Sequence, residues 1–391
     1  MSGNSYLAAQ VFILLCSYDT FPQVFRSMKW TMMVREVQKQ LPPQPHWAFR
    51  YTMLLRATRN LGFSILQLPL QLRKPMMIFY LVLRALDTIE DDMSLSSEVK
   101  IPILIAFHEH IYDHDWQFSC GSPKYKVLMD NFYNVRTAFL ELETSHREVI
   151  KDVTKRMGAG MAKFISKEVE TMDDLHEYAH YSAGVYPGIS RIFRTSKLED
   201  SSCHSADQEH LYNSMALLVQ KSDVIRDYLE DVHEAPEPRR FWPRCIWGKY
   251  VNKLEDFKHE ENSAKAVQCL NEMVMYTLTD VEDSLKNLSS LKDPVEFRFY
   301  ALHHVAATGM LALCYNNIDV FRSASNLKLR PGLAAKLFDR IWTISDLCRA
   351  ILEFSSLMKS KVEKHDPNSV ETLVRIEAIE HICKTGSQQE C

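Results

Sequence analysis

Two short acidic runs carry the chemistry that this chain could perform. The first is Asp87-Thr88-Ile89-Glu90-Asp91-Asp92. The second is Asp223-Val224-Ile225-Arg226-Asp227-Tyr228-Leu229-Glu230-Asp231. On a helix Asp87 and Asp91 stand at i and i+4 and share a face, with Glu90 beside them. Asp223, Asp227 and Asp231 make a stripe at i, i+4 and i+8. Like charges at that spacing repel by ~0.2–0.5 kcal/mol unless a cation sits between them. Carboxylate oxygens are hard donors that suit Mg2+, which takes one or two of them and fills its shell with water and substrate phosphate oxygens. A metal held that way draws off a diphosphate leaving group as a Lewis acid. One acidic stripe is ordinary solvated surface. Two, each beside an arginine (Arg84, Arg226) and each abutting an apolar run, point to a site.

The elements behind these runs must be helices. Residues 76–92 (MMIFYLVLRALDTIEDD) are apolar on almost every side for two turns, the mark of a buried helix, and then turn acidic. The helix dipole favours cations at that C-terminal end, so the acids break a local rule, which suggests that function uses them. The second stripe follows an apolar approach at 215–219. Two carboxylate-bearing helix ends can face one another across a bundle whose apolar lengths hold a hydrocarbon chain. Greasy pocket, acidic rim and magnesium together describe ionisation of a prenyl diphosphate.

The rest of the chain supports an all-α fold. Helical patterning covers 46–92, interrupted around Pro69 and Pro75, and then 101–114 and 124–167, with Gly158 and Gly160 inside the latter. A glycine in a helix costs about 1 kcal/mol relative to alanine. Helices are further expected over 172–193, broken at YSAGVYPGIS, over 212–232, 251–287 and 294–316, and in a last stretch to about Glu363. EAPEPRRFWP reads as a loop and Arg330-Pro331-Gly332 as a turn. Residues 1–45 read as a poorly patterned lead-in, 46–365 as one synthase domain and 366–391 as a polar tail without a membrane anchor. Only 11 of 391 residues are glycine, under half the usual share of about 7%, which argues against glycine-rich nucleotide-binding α/β folds and β-sandwiches.

With 46 basic against 50 acidic side chains the net charge is −4, which offers no field for nucleic acid. The nine cysteines form no CxxC pair and read as reduced thiols of a cytosolic protein. The apolar run at 6–16 is too short to span a bilayer and lacks the basic flank of a signal peptide. His108, Glu109, His110 and His114 invite a zinc reading, but the pattern is taken as a surface helix face.

At the acidic runs the sequence resembles the squalene synthase family, its plant members above all. FYLVLRALDTIEDDM (79–93) matches that family's first aspartate-rich motif. The match continues through PILIAFHEHIYDHDWQFSCG (102–121), KRMGAGMAKFISKEVET (155–171), RFWPRCIWGKYVNKLEDFK (240–258) and LALCYNN (311–317). It spans about 45 to 335, with eroded similarity from about Tyr18. The resemblance implies an all-α isoprenoid synthase fold, a class I terpenoid synthase bundle with a central cavity. It implies an enzyme that joins two farnesyl diphosphates head to head; without the C-terminal membrane anchor usual in the family, the chain is expected to be a cytoplasmic monomer, at most peripheral to the endoplasmic reticulum. One farnesyl diphosphate ionises with Mg2+, presqualene diphosphate forms, and a second ionisation with hydride from NADPH gives squalene.

Carried over by residue, Asp87 and Asp91, supported by Glu90, are similar to the family's first magnesium ligands, and Asp227 and Asp231 to the second set. Thr58, Arg59, Arg84 and Arg226 resemble its diphosphate-binding residues, a task that suits the planar guanidinium fork. Tyr80 and Tyr181 match active-site tyrosines, Tyr181 being the candidate for cation stabilisation and proton transfer. Lys328 and Arg330 match a basic pair used towards the NADPH phosphate.

The departures cluster around the expected reaction chamber. Ser-Arg-Ser-Phe of the family becomes Thr58-Arg59-Asn60-Leu61, which replaces a cation-shielding ring. Leu-Val-Gly becomes Val185-Tyr186-Pro187. Gln-Lys-Thr-Asn becomes Gln220-Lys221-Ser222-Asp223, a carboxylate in place of an amide linked to the nicotinamide. Phe-Cys-Ala-Ile-Pro-Gln becomes Phe299-Tyr300-Ala301-Leu302-His303-His304. Leu61, Tyr186, Pro187, Tyr300, His303 and His304 are therefore candidates for shaping the product. Three readings stay open: ordinary NADPH-dependent squalene formation, an altered synthase giving a non-reduced or single-substrate terpene, and a non-catalytic partner subunit that binds prenyl diphosphate.

Overall fold

The computed structural model describes residues 44–57, 60–182, 185–196, 206–233, 238–323, 337 and 339–386. All regular structure among them is helical. In chain order the α-helices are α1 (Pro45–Ala57), α2 (Asn60–Leu66), α3 (Leu70–Glu90), α4 (Ser97–His110), α5 (Pro123–Asp130), α6 (Phe132–Leu140), α7 (Thr144–Phe164), α8 (Met172–Ser182), α9 (Val185–Thr195), α10 (Ala206–Arg226), α11 (Tyr228–Val232), α12 (Arg244–Trp247), α13 (Ser263–Leu288), α14 (Pro294–Cys314), α15 (Ile344–Ser360) and α16 (Ser369–Gly386). The contacts group them into two compact units. One holds the described residues through Asp92 with Phe107–Thr154, the other Met93–Ala106 with the described residues from Lys155 onward.

In the first unit α3 packs against α1, α2, α5 and α6. Its core positions, from Leu72 through Phe79 and Leu83 to Ile89, are buried around the whole circumference, as the unbroken apolar run requires. Pro69 stands at the N-cap, but Pro75 lies inside the helix, which runs through it. The expected interruption therefore falls at Pro69 alone, because so near the N-terminus the lost backbone donor of Pro75 is one bond in a helix fixed by packing. The patterned stretch over 124–167 divides into α5, α6 and α7. The histidines before it form the surface face that the sequence suggests only in part. His108 keeps 11% side-chain exposure, the His110 ring stacks on Trp116 at 4.9 Å, and the His114 carbonyl accepts a 2.6 Å bond from Arg136. Glu109 (73%) and His114 are exposed, whereas His108 and His110 are half-buried.

In the second unit α13 is the central helix, packed against α10, α14 and α16. Among its polar ties are one to α10 and one to α14. Lys221 of α10 reaches Asp280 of α13 at 2.7 Å with both side chains buried, and His304 Nε2 of α14 faces the Val281 carbonyl at 3.3 Å. Helix α14 starts where Pro294 takes the first position and Asp293 accepts from Val295 and Glu296 amides at 2.9 and 2.8 Å. A helix that the sequence reading misses closes the unit. Residues 369–386, taken as tail, form α16, which packs on α13 and α15. The signal was present: Thr372, Ile376, Ile379 and Cys383 are buried at i, i+4, i+7 and i+11, one stripe of an amphipathic helix. No described helix is long and apolar enough to cross a membrane.

Candidate functional site

The first acidic cluster sits on the last turn of α3 and just beyond it. Asp87 is half-buried, as is Glu90, and Asp91 is the exposed C-cap residue, its amide bonded to the Asp87 carbonyl at 2.8 Å. Arg84, one turn earlier, holds Asp87 through Nη1 at 3.3 Å. Its Nε donates to the Tyr80 hydroxyl at 3.2 Å, and that hydroxyl donates to the Ala57 carbonyl at 3.3 Å. The guanidinium also lies over the Tyr125 ring at 5.3 Å. Burial works against the Arg84 charge, but Asp87 and the Tyr80 oxygen outweigh it and the pKa moves up. Burial raises the Tyr80 pKa, so its hydroxyl is a donor and acceptor, not an anion. Beyond the helix Asp92 accepts the Gly121 amide at 2.6 Å. Gly121 has φ +92, and a Cβ there would drive into the Thr88 methyl, so the turn that meets Asp92 requires glycine.

The second cluster spans the junction of α10 and α11. The expected single stripe is bent: α10 ends at Arg226, Asp227 relaxes to φ −89 and ψ 7, and α11 resumes at Tyr228. The i→i+4 amide bonds nevertheless continue, from Asp227 to the Asp223 carbonyl at 2.8 Å and from Asp231 to Asp227 at 2.9 Å. Arg226 grips Asp227 bidentately, Nε to Oδ1 at 2.7 Å and Nη2 to Oδ2 at 2.5 Å. Its third nitrogen, Nη1, reaches Asp223 Oδ1 at 2.6 Å. As at Arg84, burial lowers the pKa of Arg226 less than the carboxylates raise it. Asp231 is buried and pairs with Arg239 at 3.3 Å.

Among the described residues no three carboxylate, imidazole or thiol groups converge as a complete metal cage. The donor set is one or two carboxylate oxygens per cluster, which fits a cation that keeps water and takes phosphate oxygens from its substrate. In the first cluster Asp87 and Asp91 would hold it, and in the second Asp227 and Asp231.

Tyr181 on α8 packs its Cβ and ring directly on Gly160 of α7. The Lys163 ammonium, ion-paired with Glu177, lies 5.9 Å from that ring. The helical glycine noted in the sequence is thus a close-approach position. Three of the departures meet: the Tyr186 ring lies 5.9 Å from Tyr300 and 6.1 Å from His303, and Tyr300 donates to the Tyr186 carbonyl at 3.2 Å. The others stand apart. Leu61 is half-buried on α2. Pro187 occupies the first turn of α9, where its missing amide costs nothing, so it starts a helix and does not break one. His304 turns to α13. Thr58, Arg59, Lys328 and Arg330 lie outside the described residues. Sequence reasoning missed Glu230, although D-x-x-E-D occurs in both clusters and marks it as the counterpart of Glu90. It also missed Tyr125, for which local spacing gave no signal.

The squalene/phytoene synthase family model matches residues 54–332. The chain belongs to that family. Squalene synthase 2 of Panax ginseng is 56% identical over 360 residues, covering 92% of this chain and 85% of that protein. A squalene synthase of Nicotiana benthamiana is 53% identical over 367 residues, covering 94% and 87%. The solved complex of TcSQS with the ligand BPH1237 superposes with a TM-score of 0.83 at 34% identity, covering 88% of this chain and all of that one. As a squalene/phytoene synthase family member the chain is an all-helical enzyme of isoprenoid biosynthesis, a prenyl transferase of the squalene synthase type. The Panax and Nicotiana relatives are plant proteins. The expected fold class and family are thereby borne out.

Proposed function

We propose that this enzyme is Mg2+-dependent and couples two farnesyl diphosphates head to head through presqualene diphosphate towards squalene. The observation that supports the reading is that both D-x-x-E-D runs stand at helix ends, each with its own arginine in contact. Bound Mg2+ supplies Lewis acidity to the diphosphate oxygens. Asp87 and Asp91, and Asp227 and Asp231, bind the cation, while Arg84 and Arg226 offer forked donors to phosphate. Tyr80 holds Arg84 in place. Tyr181 presents a ring face and a hydroxyl to a carbocation.

A second reading, an altered synthase releasing a non-reduced or single-substrate terpene, is favoured by one observation. Tyr186, Tyr300 and His303 put bulk and an imidazole into a region where the family is expected to be apolar, and Asp223, where the family carries an amide, is tied to Arg226. Pure protein incubated with Mg2+ and farnesyl diphosphate, with and without NADPH, separates the two. Squalene that appears only with NADPH establishes the first reading. A hydrocarbon or alcohol formed equally without NADPH establishes the second. Both require the carboxylates: Asp87→Asn and Asp227→Asn should each reduce diphosphate release at least about 100-fold, the scale of a lost transition-state contact. Unchanged release in both variants would refute both.

A further inference from the structure

Past its first turns helix α14 is buried on every side but one. Beyond Pro294, Val295 and Arg298 in its first turns, its half-open positions are His303, Ala306, Met310 and Leu313, at i, i+3, i+7 and i+10, so one narrow stripe along the rest of the helix is accessible. The stripe is apolar between its ends, and the two ends differ. At the C-terminal end the Cys314 thiol lies in the fields of Arg226 and Asp227. At the other end the His303 ring is boxed edge-on by Phe299 at 4.6 Å and Tyr186 at 6.1 Å, with Tyr300 behind Tyr186. Helix α10 fixes this orientation. Tyr212, near its start, donates to Glu296 near the start of α14 at 3.1 Å, and Arg226 and Cys314 close the two helices at the same level.

The imidazole is unusual for such a place. Its two nitrogens are shut off from solvent and neither finds a well-formed hydrogen bond, the Phe299 carbonyl one turn back being a marginal neighbour. Leaving such a group unsatisfied costs about 1–3 kcal/mol. A leucine would pack there at no such cost, so the fold gains nothing from this choice. From Cys314 to His303 the helix rises by about 16 Å. That is the scale of a fifteen-carbon prenyl chain drawn out from its diphosphate, and it is shorter than a twenty-carbon one.

We infer that His303, backed by Tyr186 and Phe299, is the floor of the prenyl-chain channel whose mouth is the second acidic cluster, and that it sets the chain length accepted at fifteen carbons. The inference rests on the proposed prenyl diphosphate chemistry and deepens it. The chain lies along Leu313, Met310 and Ala306, with its terminal dimethylallyl group against the imidazole face. A further isoprene unit would have to displace two buried rings.

The test measures Mg2+-dependent diphosphate release from geranyl, farnesyl and geranylgeranyl diphosphate. Wild type should prefer the fifteen-carbon substrate. His303→Ala should raise the kcat/KM ratio of geranylgeranyl to farnesyl diphosphate at least about tenfold, as pocket discrimination of one to several methylenes allows. His303→Trp should shift preference towards geranyl diphosphate. Tyr186→Leu, a second enlarging change one layer away, repeats the first test if His303→Ala folds poorly by its melting curve. Unchanged ratios in the folded variants, with wild type active on farnesyl diphosphate, would overturn the floor and leave the proposed function standing. No release from any of the three by wild type would overturn the proposed function itself.

Discussion

Gly160→Ala sets two effects of opposite sign against each other. Helix propensity alone makes the change favourable by about 1 kcal/mol, since Gly160 lies well inside α7. The packing opposes it. An alanine Cβ would stand 2.8 Å from Tyr181 Cδ1 and closer still to Tyr181 Cβ and Cγ, where ordinary contact needs 3.4–4 Å. The crowded atoms are the root of the side chain, so a rotamer change cannot relieve them and α8 must move away from α7 by about 1 Å. Overpacking of that kind costs about 1–3 kcal/mol, so the net expectation is a loss of about 1–2 kcal/mol. The functional effect should be larger, because Tyr181 moves with α8 and a misplacement of about 1 Å can cost on the order of 100-fold in rate. Thermal melting and turnover of farnesyl diphosphate on the same preparation measure both. A variant that melts at or above wild type with full turnover would show that α7 and α8 are not locked at this contact and would remove the positional argument for Tyr181.

Lys221→Met leaves the Asp280 carboxylate buried without its partner, which should cost about 3–5 kcal/mol by denaturant unfolding, and Lys221→Met with Asp280→Leu should recover most of that. Recovery that fails would mean that the pair orders α10 against α13 by more than charge balance. Burial lowers the pKa of His304 to about 4 and that of His303 likewise. The unfolded chain therefore binds protons that the fold refuses, and stability should fall as pH drops from about 6.5 to about 4, by up to about 1.4 kcal/mol per pH unit for each group. Asp280, pushed up to about 6 by burial, contributes in the opposite sense between about 4 and 6. The decisive quantity is thus the difference between proteins: His304→Gln should lose less melting temperature than wild type between pH 7 and pH 4.5, and equal losses would refute the assignment.

What the sequence made legible was whatever depends on local spacing. The two D-x-x-E-D runs, the buried course of α3 and the low glycine content led to the fold class before any coordinate. Misreadings came where tertiary context decides. Pro75 looked like a stop but is carried within α3 because packing on four helices fixes that segment. The 369–386 stripe was overlooked because polar residues surround it and because Val370 and Val374 are exposed, which blurs the apolar face. His110 looks like part of a surface row, yet its ring is covered by Trp116, which returns from the following loop. Tyr125 meets Arg84 from an element more than thirty residues away, and no local pattern anticipates that.

The two clusters reach electrical balance differently. In the first, Arg84 reaches Asp87 at 3.3 Å, donates to Tyr80 and lies over the Tyr125 ring. In the second, all three nitrogens of Arg226 are committed to Asp223 and Asp227. An amide at 223, the residue type that the family resemblance leads one to expect, would take a weaker, neutral contact and leave the Arg226 fork more of its charge for phosphate. Asp223 thus adds a negative charge and tightens the clamp at once. On the proposed function both clusters must exchange part of this internal pairing for a cation. The residue-223 departure, in the field of Tyr186, therefore makes the second cluster the one whose chemistry is most open to change.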